Sequence, residues 1–343
     1  MNIQLRKEVL QNTFLDPSHR FKTKTQTLEV RYDPLTERTA HIAHLGAIAP
    51  KPLNLAELDQ EALRARCPFC PDRREQITPK FLPDLIPGGR LRRGEALVVP
   101  NIAPYDSISA VTIMTRQHLV PLDHFMAQHL VDALGVSLEF LQTVRQKRPE
   151  LPYTLLGWNY MPPSGGGLVH PHVQALATRF PGNLYHDELA AARLYAQTTG
   201  RHYWHDLAQV EKVSQERYIG CTGRIHWLSA FAPLGTIGEI LGIYSDVFVL
   251  DDVDAAVLEE TASAFLRLFA FFQAWGAGSF NAALCFGPAS DPVMSAYWRI
   301  IPRTYLNASE KPADANFFQM LLREPVSSVI PEELCVAARP FFA

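Results

Sequence analysis

Hydrophobic positions recur along the chain at two spacings, and each spacing predicts a type of element. Within residues 122–148, and again within about 254–276, apolar residues recur every three to four positions, which is typical of amphipathic helices. Shorter segments alternate or are rich in β-branched residues, which favours strands. These strand segments are 28–32, 39–44, 95–99, 109–115, 155–160 and 169–177. A helix over 188–199 and a tail of mixed strand and short helix from 315 complete the prediction.

The order of these elements repeats within the chain. Residues 99–104 and the strand after them resemble residues 228–233 and the strand after those, and a long helix follows in both copies. The strand pair after each helix contains Asn159 in the first copy and Asn281 in the second. The repeat predicts an α+β fold of two duplicated modules, with mainly antiparallel sheets and packed helices.

The boundary between the two modules is placed at residue 185. This division gives an N-terminal module over 1–185 and a C-terminal module over 186–343. No disordered linker separates the halves, so we expect them to share one continuous sheet or a broad interface.

The net charge of the chain bears on whether it binds nucleic acid or membranes. The 343 residues carry a net charge of −3, with 20% charged and 47% hydrophobic residues, so the chain supports a full core but shows no basic excess. Broad electrostatic binding to nucleic acid or to an anionic membrane is therefore not expected. The N-terminus lacks the apolar run of a signal peptide and no stretch is long enough to span a bilayer, which predicts a cytoplasmic protein.

The segment that carries most chemical information runs from Ser164 to Gln174. In an extended strand His170 and His172 point to the same face, about 7 Å apart, so that one can face a metal while the other faces a substrate. Gly165, Gly166 and Gly167 precede them, and a glycine run lets backbone N–H groups approach a bulky anion such as a diphosphate.

The five cysteines do not suggest a disulfide framework in a cytoplasmic chain of this size. Only Cys67 and Cys70 are close in sequence, in the spacing of a zinc knuckle, and the alternative is a turn with two ordinary thiols. The other three cysteines are interpreted as core residues.

Taken together, the motifs resemble a known enzyme family. They are Asp33-Pro34-Leu35-Thr36, Cys67-Pro68-Phe69-Cys70-Pro71, Val99-Pro100-Asn101, His118, and Asn159 followed by His170-Pro171-His172-Val173-Gln174. This set, in this order over most of the chain, resembles the galactose-1-phosphate uridylyltransferase family, a branch of the histidine-triad superfamily. The resemblance implies a fold of duplicated histidine-triad-like modules.

The resemblance also implies roles for individual residues. It implies a structural zinc held by Cys67, Cys70, His118 and His170. It makes His172 the nucleophile that attacks the α-phosphorus of a nucleoside diphosphate sugar and holds the nucleotidyl group until an acceptor arrives. Gln174 would hydrogen-bond the phosphate as part of the catalytic machinery.

The remaining implied contacts concern the nucleotide. They are Asn159 near the reacting phosphate and the backbone of Gly165, Gly166 and Gly167 at the diphosphate. Asn101 and Arg31 are weaker candidates, for which an ordinary loop or strand role is the alternative. For His118, the alternative is a histidine hydrogen-bonded to backbone at the end of a strand.

The sequence departs from the family pattern at the phosphate site and at a second metal site. Where members have a serine that contacts phosphate, this chain has Gly167, which removes one hydroxyl donor. A second metal site of many members would use Glu188 with three histidines, but Tyr297, Arg299 and the region of Cys285 stand in their place. We therefore predict that this second metal is absent, and that Glu188 is a helix-start residue or a partner of Arg299.

Three functions follow from these observations. The leading one is transfer of a nucleoside monophosphate, expected to be UMP, between a nucleoside diphosphate sugar and a sugar 1-phosphate. The first alternative is a nucleoside diphosphate sugar phosphorylase that transfers an adenylyl group, with inorganic phosphate as the acceptor. The second is a non-catalytic, zinc-containing nucleotide-binding protein. The resemblance further implies a homodimer, and neither nucleic acid nor membrane is an expected partner.

Overall fold

The computed structural model describes residues 3–43, 45–291, 293–307 and 309–343, with the side chain of residue 62 outside the described part. Its strands are β1 (Lys7–Asp16), β2 (Lys22–Tyr32), β3 (Thr39–Ile42), β4 (Leu91–Arg93), β5 (Ala96–Pro100), β6 (Ile108–Ile113), β7 (Tyr153–Tyr160), β8 (His172–Thr178), β9 (Tyr218–Thr222), β10 (Ile225–Ser229), β11 (Ile240–Tyr244), β12 (Ser279–Cys285), β13 (Tyr297–Arg303) and β14 (Val326–Ser327). Its helices are α1 (Leu55–Leu58), α2 (Glu61–Arg64), α3 (Pro71–Ile77), α4 (Ala127–Lys147), α5 (Asn183–Thr199), α6 (Tyr203–Ser214), α7 (Ala255–Trp275), α8 (Phe317–Leu321) and α9 (Pro331–Ala338).

A ten-stranded sheet forms the centre of the molecule, in the order β4-β5-β6-β8-β7-β12-β13-β11-β10-β9. Every neighbouring pair in it is antiparallel. A smaller sheet has the order β1-β2-β3-β14, in which β14 pairs with β3 in parallel. The predicted fold, α+β with mainly antiparallel sheets, is confirmed.

The strand order of the large sheet shows the repeat directly. Read from each edge to the middle, the first half runs β4-β5-β6-β8-β7 and the second runs β9-β10-β11-β13-β12. A 21-residue helix connects the third strand of each half to the innermost one, α4 in the first and α7 in the second. The halves join where β7 pairs with β12, and Asn159 lies opposite Asn281 there. The two copies share one continuous sheet, as expected, while the exact boundary at residue 185 stays a prediction.

One face of the large sheet carries the core. Along β7, Thr154, Leu156, Trp158 and Tyr160 are buried and alternate with partly exposed residues. Trp158 packs against Phe265 and Phe269 of α7, with ring centroids 6.0 and 5.9 Å apart. Since α4 and α7 lie side by side on this face, the alternate residues of the strands face away from the helices.

The opposite face is covered only in part. Helices α5 and α6 pack over the second half of the sheet, where Trp204 stacks on Tyr297 with ring centroids 4.4 Å apart. Over the middle of the sheet, β8, β7 and β12 present partly exposed residues on this face. This leaves an open surface in the centre of the duplicated sheet.

Several predicted boundaries differ from the structure. Helix α4 begins at Ala127, because a short 3-10 turn over Leu122–His124 precedes it. Strand β8 begins at His172, so that His170 lies in the approach to the strand rather than in it. The predicted end of the second strand at residue 44 lies outside the described residues. Among the described residues, no helix is both long enough and apolar enough to cross a membrane.

Candidate active site and metal centre

The open face of the sheet collects the predicted nucleophile and its neighbours. His172 and Gln174 are alternate residues of β8 and are both partly exposed on this face. Gln174 lies opposite Gly157, Gly157 opposite Ala283, and Ala283 opposite Arg299. The small residues Gly157 and Ala283 therefore form a floor between polar side chains on either side. A Cβ atom added to Gly157 would meet nothing within 4 Å, so the space above this floor is open.

The hydrogen bonding of His172 defines its tautomer. Its Nδ1 lies 2.8 Å from the carbonyl oxygen of His170, and since a carbonyl only accepts, Nδ1 carries the proton and donates. Burial lowers the pKa of His172, although the bond to His170 acts in the other direction. A neutral ring with Nδ1–H occupied leaves the lone pair on Nε2, which is the form required of a nucleophile.

Cys67, Cys70, His118 and His170 form a compact cluster. Their four candidate ligand atoms all lie within 4.8 Å of one another. Cys67 Sγ lies 3.6 Å from His170 Nδ1, and Cys70 Sγ lies 3.4 Å from His118 Nδ1 and 3.8 Å from His170 Nδ1. A tetrahedron with zinc–sulfur and zinc–nitrogen bonds of ordinary length has sulfur–nitrogen edges of about 3.6 Å. The donor set and its spacing therefore fit a closed zinc site.

The surroundings of the cluster also suit a metal. His170 is fully buried, its Nε2–H donates to the carbonyl oxygen of Thr115 at 2.9 Å, and burial lowers its pKa to about 4. Nδ1 is thereby left unprotonated and directed at the two sulfur atoms, as in metal sites where a second hydrogen bond orients the histidine. The backbone-bonded alternative for His118 is not what the structure shows, because its Nδ1 faces Cys70 Sγ.

Phe69 connects the metal cluster to the nucleophile. It lies between Cys67 and Cys70, and its ring meets those of His170 and His172 edge-on, with centroids 6.0 and 5.3 Å apart. Phe69 also packs on a small apolar cluster of β5 and β6. The knuckle thus supports the orientation of the His172 ring, and the sequence interpretation did not assign this role to Phe69.

The glycine run forms an exposed loop beside β7. Gly165 has φ +83°, a left-handed conformation that favours glycine, and its N–H bonds Pro162 O at 2.9 Å. Gly166 is in close contact, since an added Cβ would lie 3.2 Å from Asn159 O. Within the described chain the N–H groups of Gly166 and Gly167 have no backbone acceptor, so they are free to donate. Ser164 is not a substitute for the missing serine, because its hydroxyl is buried and donates to Met161 O.

Asn159 lies at the seam between the two halves. Its Oδ1 accepts from Asn281 Nδ2 at 2.6 Å, and Asn281 Nδ2 also donates to Ser164 O at 2.9 Å. With Oδ1 used in this way, the amide N–H groups of Asn159 are the part left to face a ligand. The structure thus brings Asn159, the glycine loop, His172 and Gln174 to one surface.

Asn101 and Arg31, the two weaker candidates for nucleotide contact, are bonded to other groups of the protein. Asn101 lies in the loop after β5, where its side chain contacts Ser109 and caps Ala103. Arg31 is 2% exposed and forms a two-bond ion pair with Glu332, at 2.9 Å for each bond, besides contacts with Glu29 and the ring of Phe231. These contacts favour the ordinary structural role for Arg31, and a nucleotide contact by either residue stays a prediction.

Glu188, Tyr297 and Arg299 form a buried ion cluster with Glu239. Arg299 donates to Glu188 and to Glu239, and Tyr297 donates to Glu188. Burial raises the pKa of both glutamates, while the guanidinium between them acts in the opposite direction. Of the two roles predicted for Glu188, the structure shows the partnership with Arg299.

The chain was compared with known protein families, sequences and solved structures. No protein-family model matches the chain. An uncharacterised protein of Archaeoglobus fulgidus is 35% identical over 214 residues, which cover 62% of this chain and 63% of that protein, so the match spans less than two thirds of the relative. A GalT-like protein from Arabidopsis thaliana superposes with a TM-score of 0.67 at 16% identity, covering 90% of this chain and 98% of that one.

Two further solved structures give the same result. An ADP-glucose phosphorylase from Arabidopsis thaliana, solved with bound ADP-glucose, has a TM-score of 0.67 at 16% identity. A uridylyltransferase has a TM-score of 0.67 at 17% identity, and both cover 91% of this chain and 98% of their own. The chain has the uridylyltransferase-like fold. The resemblance drawn from the sequence motifs is confirmed at the level of the fold, over nearly the whole length of these structures.

Some residues of the site were missed by sequence reasoning. Asn281 was noticed only as the repeat partner of Asn159, and its contact across the seam could have been anticipated from that pairing. Glu239 and Asp314 carried no signal, because their roles depend on contacts between distant segments.

Proposed function

We propose that the protein is a nucleotidyltransferase that moves a nucleoside monophosphate from a nucleoside diphosphate sugar to a phosphate-bearing acceptor through a covalent intermediate on His172. The observation that carries the proposal is the tautomer of His172, whose Nδ1–H is bound to His170 O while Nε2 is left on the open face of the sheet. A residue that only binds a nucleotide has no need of a neutral imidazole fixed in this way.

The first half-reaction forms one bond and breaks another. His172 Nε2 attacks the α-phosphorus, a nitrogen–phosphorus bond forms, and the bond from that phosphorus to the bridging oxygen breaks, releasing the sugar 1-phosphate. The ring then carries positive charge, and the carbonyl of His170 on Nδ1–H stabilises it. In the second half-reaction a phosphate oxygen of the acceptor attacks the same phosphorus, and the nitrogen–phosphorus bond breaks to regenerate the neutral ring.

Neighbouring groups supply donors for the charge that develops on phosphate oxygens. Gln174 shares the strand face with His172, Asn159 presents its amide N–H groups, and Gly166 and Gly167 present backbone N–H groups. Cys67, Cys70, His118 and His170 would hold a structural zinc ion, which would anchor the knuckle that carries Phe69 and would supply no step of the reaction.

The base and the acceptor separate two versions of this function. A uridylyl donor with a hexose 1-phosphate acceptor is the leading version, and an adenylyl donor with inorganic phosphate is the second. The second is retained because the ADP-glucose phosphorylase superposes as well as the uridylyltransferase does. A cytoplasmic location and a homodimer stay predictions from the sequence.

Intact-protein mass spectrometry tests the proposal. Purified protein is mixed with UDP-glucose and, separately, with ADP-glucose, in the absence of acceptor. We expect one nucleotidyl group per chain with one of the donors and no adduct on a His172→Ala variant. His186→Ala is the matched control, since His186 is an exposed histidine on α5 that pairs with Asp187 outside the site. Absence of an adduct from the native protein with both donors favours the non-catalytic alternative.

A further inference from the structure

A second polar group lies on the open face of the sheet, on the far side of the seam from His172. Arg303 ends β13 and donates through Nη1 to Asn281 Oδ1 at 2.6 Å. Its Nε donates to both carboxylate oxygens of Asp314, at 2.8 and 3.0 Å, and its Nη2 donates to the same carboxylate. Asp314 is 3% exposed, so the guanidinium is clamped by a buried carboxylate on one side and by Asn281 on another.

The bonds to Asp314 and Asn281 use only part of the hydrogen-bonding capacity of Arg303. A guanidinium carries five N–H groups in a rigid fork. Nε–H and one Nη2–H serve Asp314, and one Nη1–H serves Asn281. The second N–H on Nη1 and the second on Nη2 have no acceptor among the described residues, and the side chain is 22% exposed. Two N–H donors are therefore left without a protein partner beside the open surface over β8, β7 and β12 (the groove).

Asn281 links this fork to the predicted phosphate site. Its oxygen accepts from Arg303, and its amide group donates to Asn159 Oδ1 and to Ser164 O. All the polar atoms of its side chain are used, so its function is to hold the neighbouring groups rather than to bind a ligand itself. Asn159, Arg303 and the start of the glycine loop are thus fixed around a single amide.

The sheet geometry gives the distance from the nucleophile. Neighbouring strands lie about 4.8 Å apart, and β8 is separated from β12 by β7 alone, so β12 lies roughly 10 Å from β8. Arg303 reaches Asn281 on β12, which places its guanidinium on the side of β13 facing the groove. A diphosphate bound at His172 and extending across Asn159 approaches this fork.

We propose that Arg303 is a binding residue for the phosphate group of the acceptor, which is also the phosphate that leaves with the sugar in the first half-reaction. The inference rests on the proposed function for the identity of this anion. Planar, paired N–H donors match the oxygen atoms of a phosphate, and a fork already held by Asp314 and Asn281 loses little freedom on binding. Arg303 takes over part of the role for which the chain lacks a serine hydroxyl at Gly167.

Steady-state kinetics with inorganic phosphate and with glucose 1-phosphate as acceptors provide the first test. We expect Arg303→Gln to raise the KM for the acceptor roughly tenfold to a hundredfold, the range for loss of charged hydrogen bonds. Formation of the nucleotidyl adduct at saturating donor should be retained. Arg303→Lys, which keeps a charge beside Asp314 but loses the fork, should give an intermediate KM.

Arg201→Gln is the matched control for the loss of an ion pair. Arg201 also clamps a buried aspartate with two bonds, since its Nε lies 2.9 and 2.7 Å from the carboxylate oxygens of Asp206, but this pair lies at the start of α6, outside the groove. Equal acceptor KM values for Arg303→Gln and Arg201→Gln would overturn the inference.

Direct binding separates this inference from the proposed function. Calorimetric titration of the His172→Ala protein with inorganic pyrophosphate and with glucose 1-phosphate measures anion affinity without turnover. Affinity that falls at least tenfold when Arg303→Gln is added supports the site, even if the native protein forms no nucleotidyl adduct and the proposed function fails. Affinity that does not change on adding Arg303→Gln, or no measurable binding of either anion before it is added, refutes the site.

Discussion

Loss of one cysteine from the knuckle should release a cross-link on which the site depends. The cluster joins three segments that are distant in sequence: Cys70 is 48 residues from His118 and 100 residues from His170. A cross-link that closes a loop of 48 residues stabilises a fold by about 4 kcal/mol in the polymer estimate. Because the remaining three ligands retain part of this effect, Cys67→Ser should lower the free energy of unfolding by about 2–4 kcal/mol.

Two measurements check this prediction, and one variant serves as the control. Atomic absorption should find one zinc per chain in the native protein and much less in Cys67→Ser, and urea unfolding gives the difference in stability. Cys221→Ser removes an exposed thiol outside the cluster and should change neither quantity. A native protein that is free of zinc, together with equal stabilities for Cys67→Ser and Cys221→Ser, would refute the metal site.

Three further predictions concern the neighbours of the site and the ion pairs around it. Phe69→Ala removes the edge-on support of His172, so the rate of adduct formation should fall about tenfold while the zinc content, measured in parallel, is unchanged. Arg299→Met leaves buried carboxylates unpaired and should cost about 3–5 kcal/mol in urea unfolding, whereas a loss below 1 kcal/mol would show that the ion cluster is dispensable. Although burial alone raises the pKa of Glu332, its bonds to Arg31 dominate and lower it to about 2. Since this pKa is below that of the unfolded chain, the stabilisation is present above about pH 4.5 and is lost as the pH falls toward 2, so unfolding curves of Glu332→Gln should depend less on pH in that window.

The sequence predicts best what local patterns determine. The apolar periodicities of α4 and α7 and the alternation of β7 are recovered with small shifts at their ends, because in each case a single face is buried. The repeated order of these elements also revealed the internal repeat, and with no linker between the halves this predicted a shared sheet or a broad interface. The spacing of Cys67 and Cys70 predicted a metal-binding knuckle, and the family resemblance added His118 and His170, which the structure brings together with the two cysteines.

Strand β1 and helix α6 escaped the prediction. Strand β1 is exposed over most of its length and pairs with β2 through ten register positions, so its sequence carries no alternation of apolar residues. Helix α6 was also missed, although it buries Tyr203, Trp204, Leu207 and Ala208 against the sheet face opposite the main core.

Contacts between distant segments also could not be predicted from the sequence. Asp314 meets Arg303 from the irregular segment after β13, and Glu239 meets Arg299 from the approach to β11. No periodicity marks such residues, because their function arises from the packing of separate parts of the chain. Arg31 shows the reverse case, in which motif resemblance suggested a ligand contact while the side chain is engaged with Glu332.

The mechanism requires a covalent nucleotidyl group on His172, and locating that group on the chain is the most direct measurement. After reaction with the donor that labels the protein, proteolysis and tandem mass spectrometry at neutral pH locate the adduct. We predict one nucleotidyl group on His172, which disappears when the phosphate acceptor is added, with release of the corresponding nucleotide product. An adduct on another residue, or one that persists in the presence of acceptor, would contradict the mechanism.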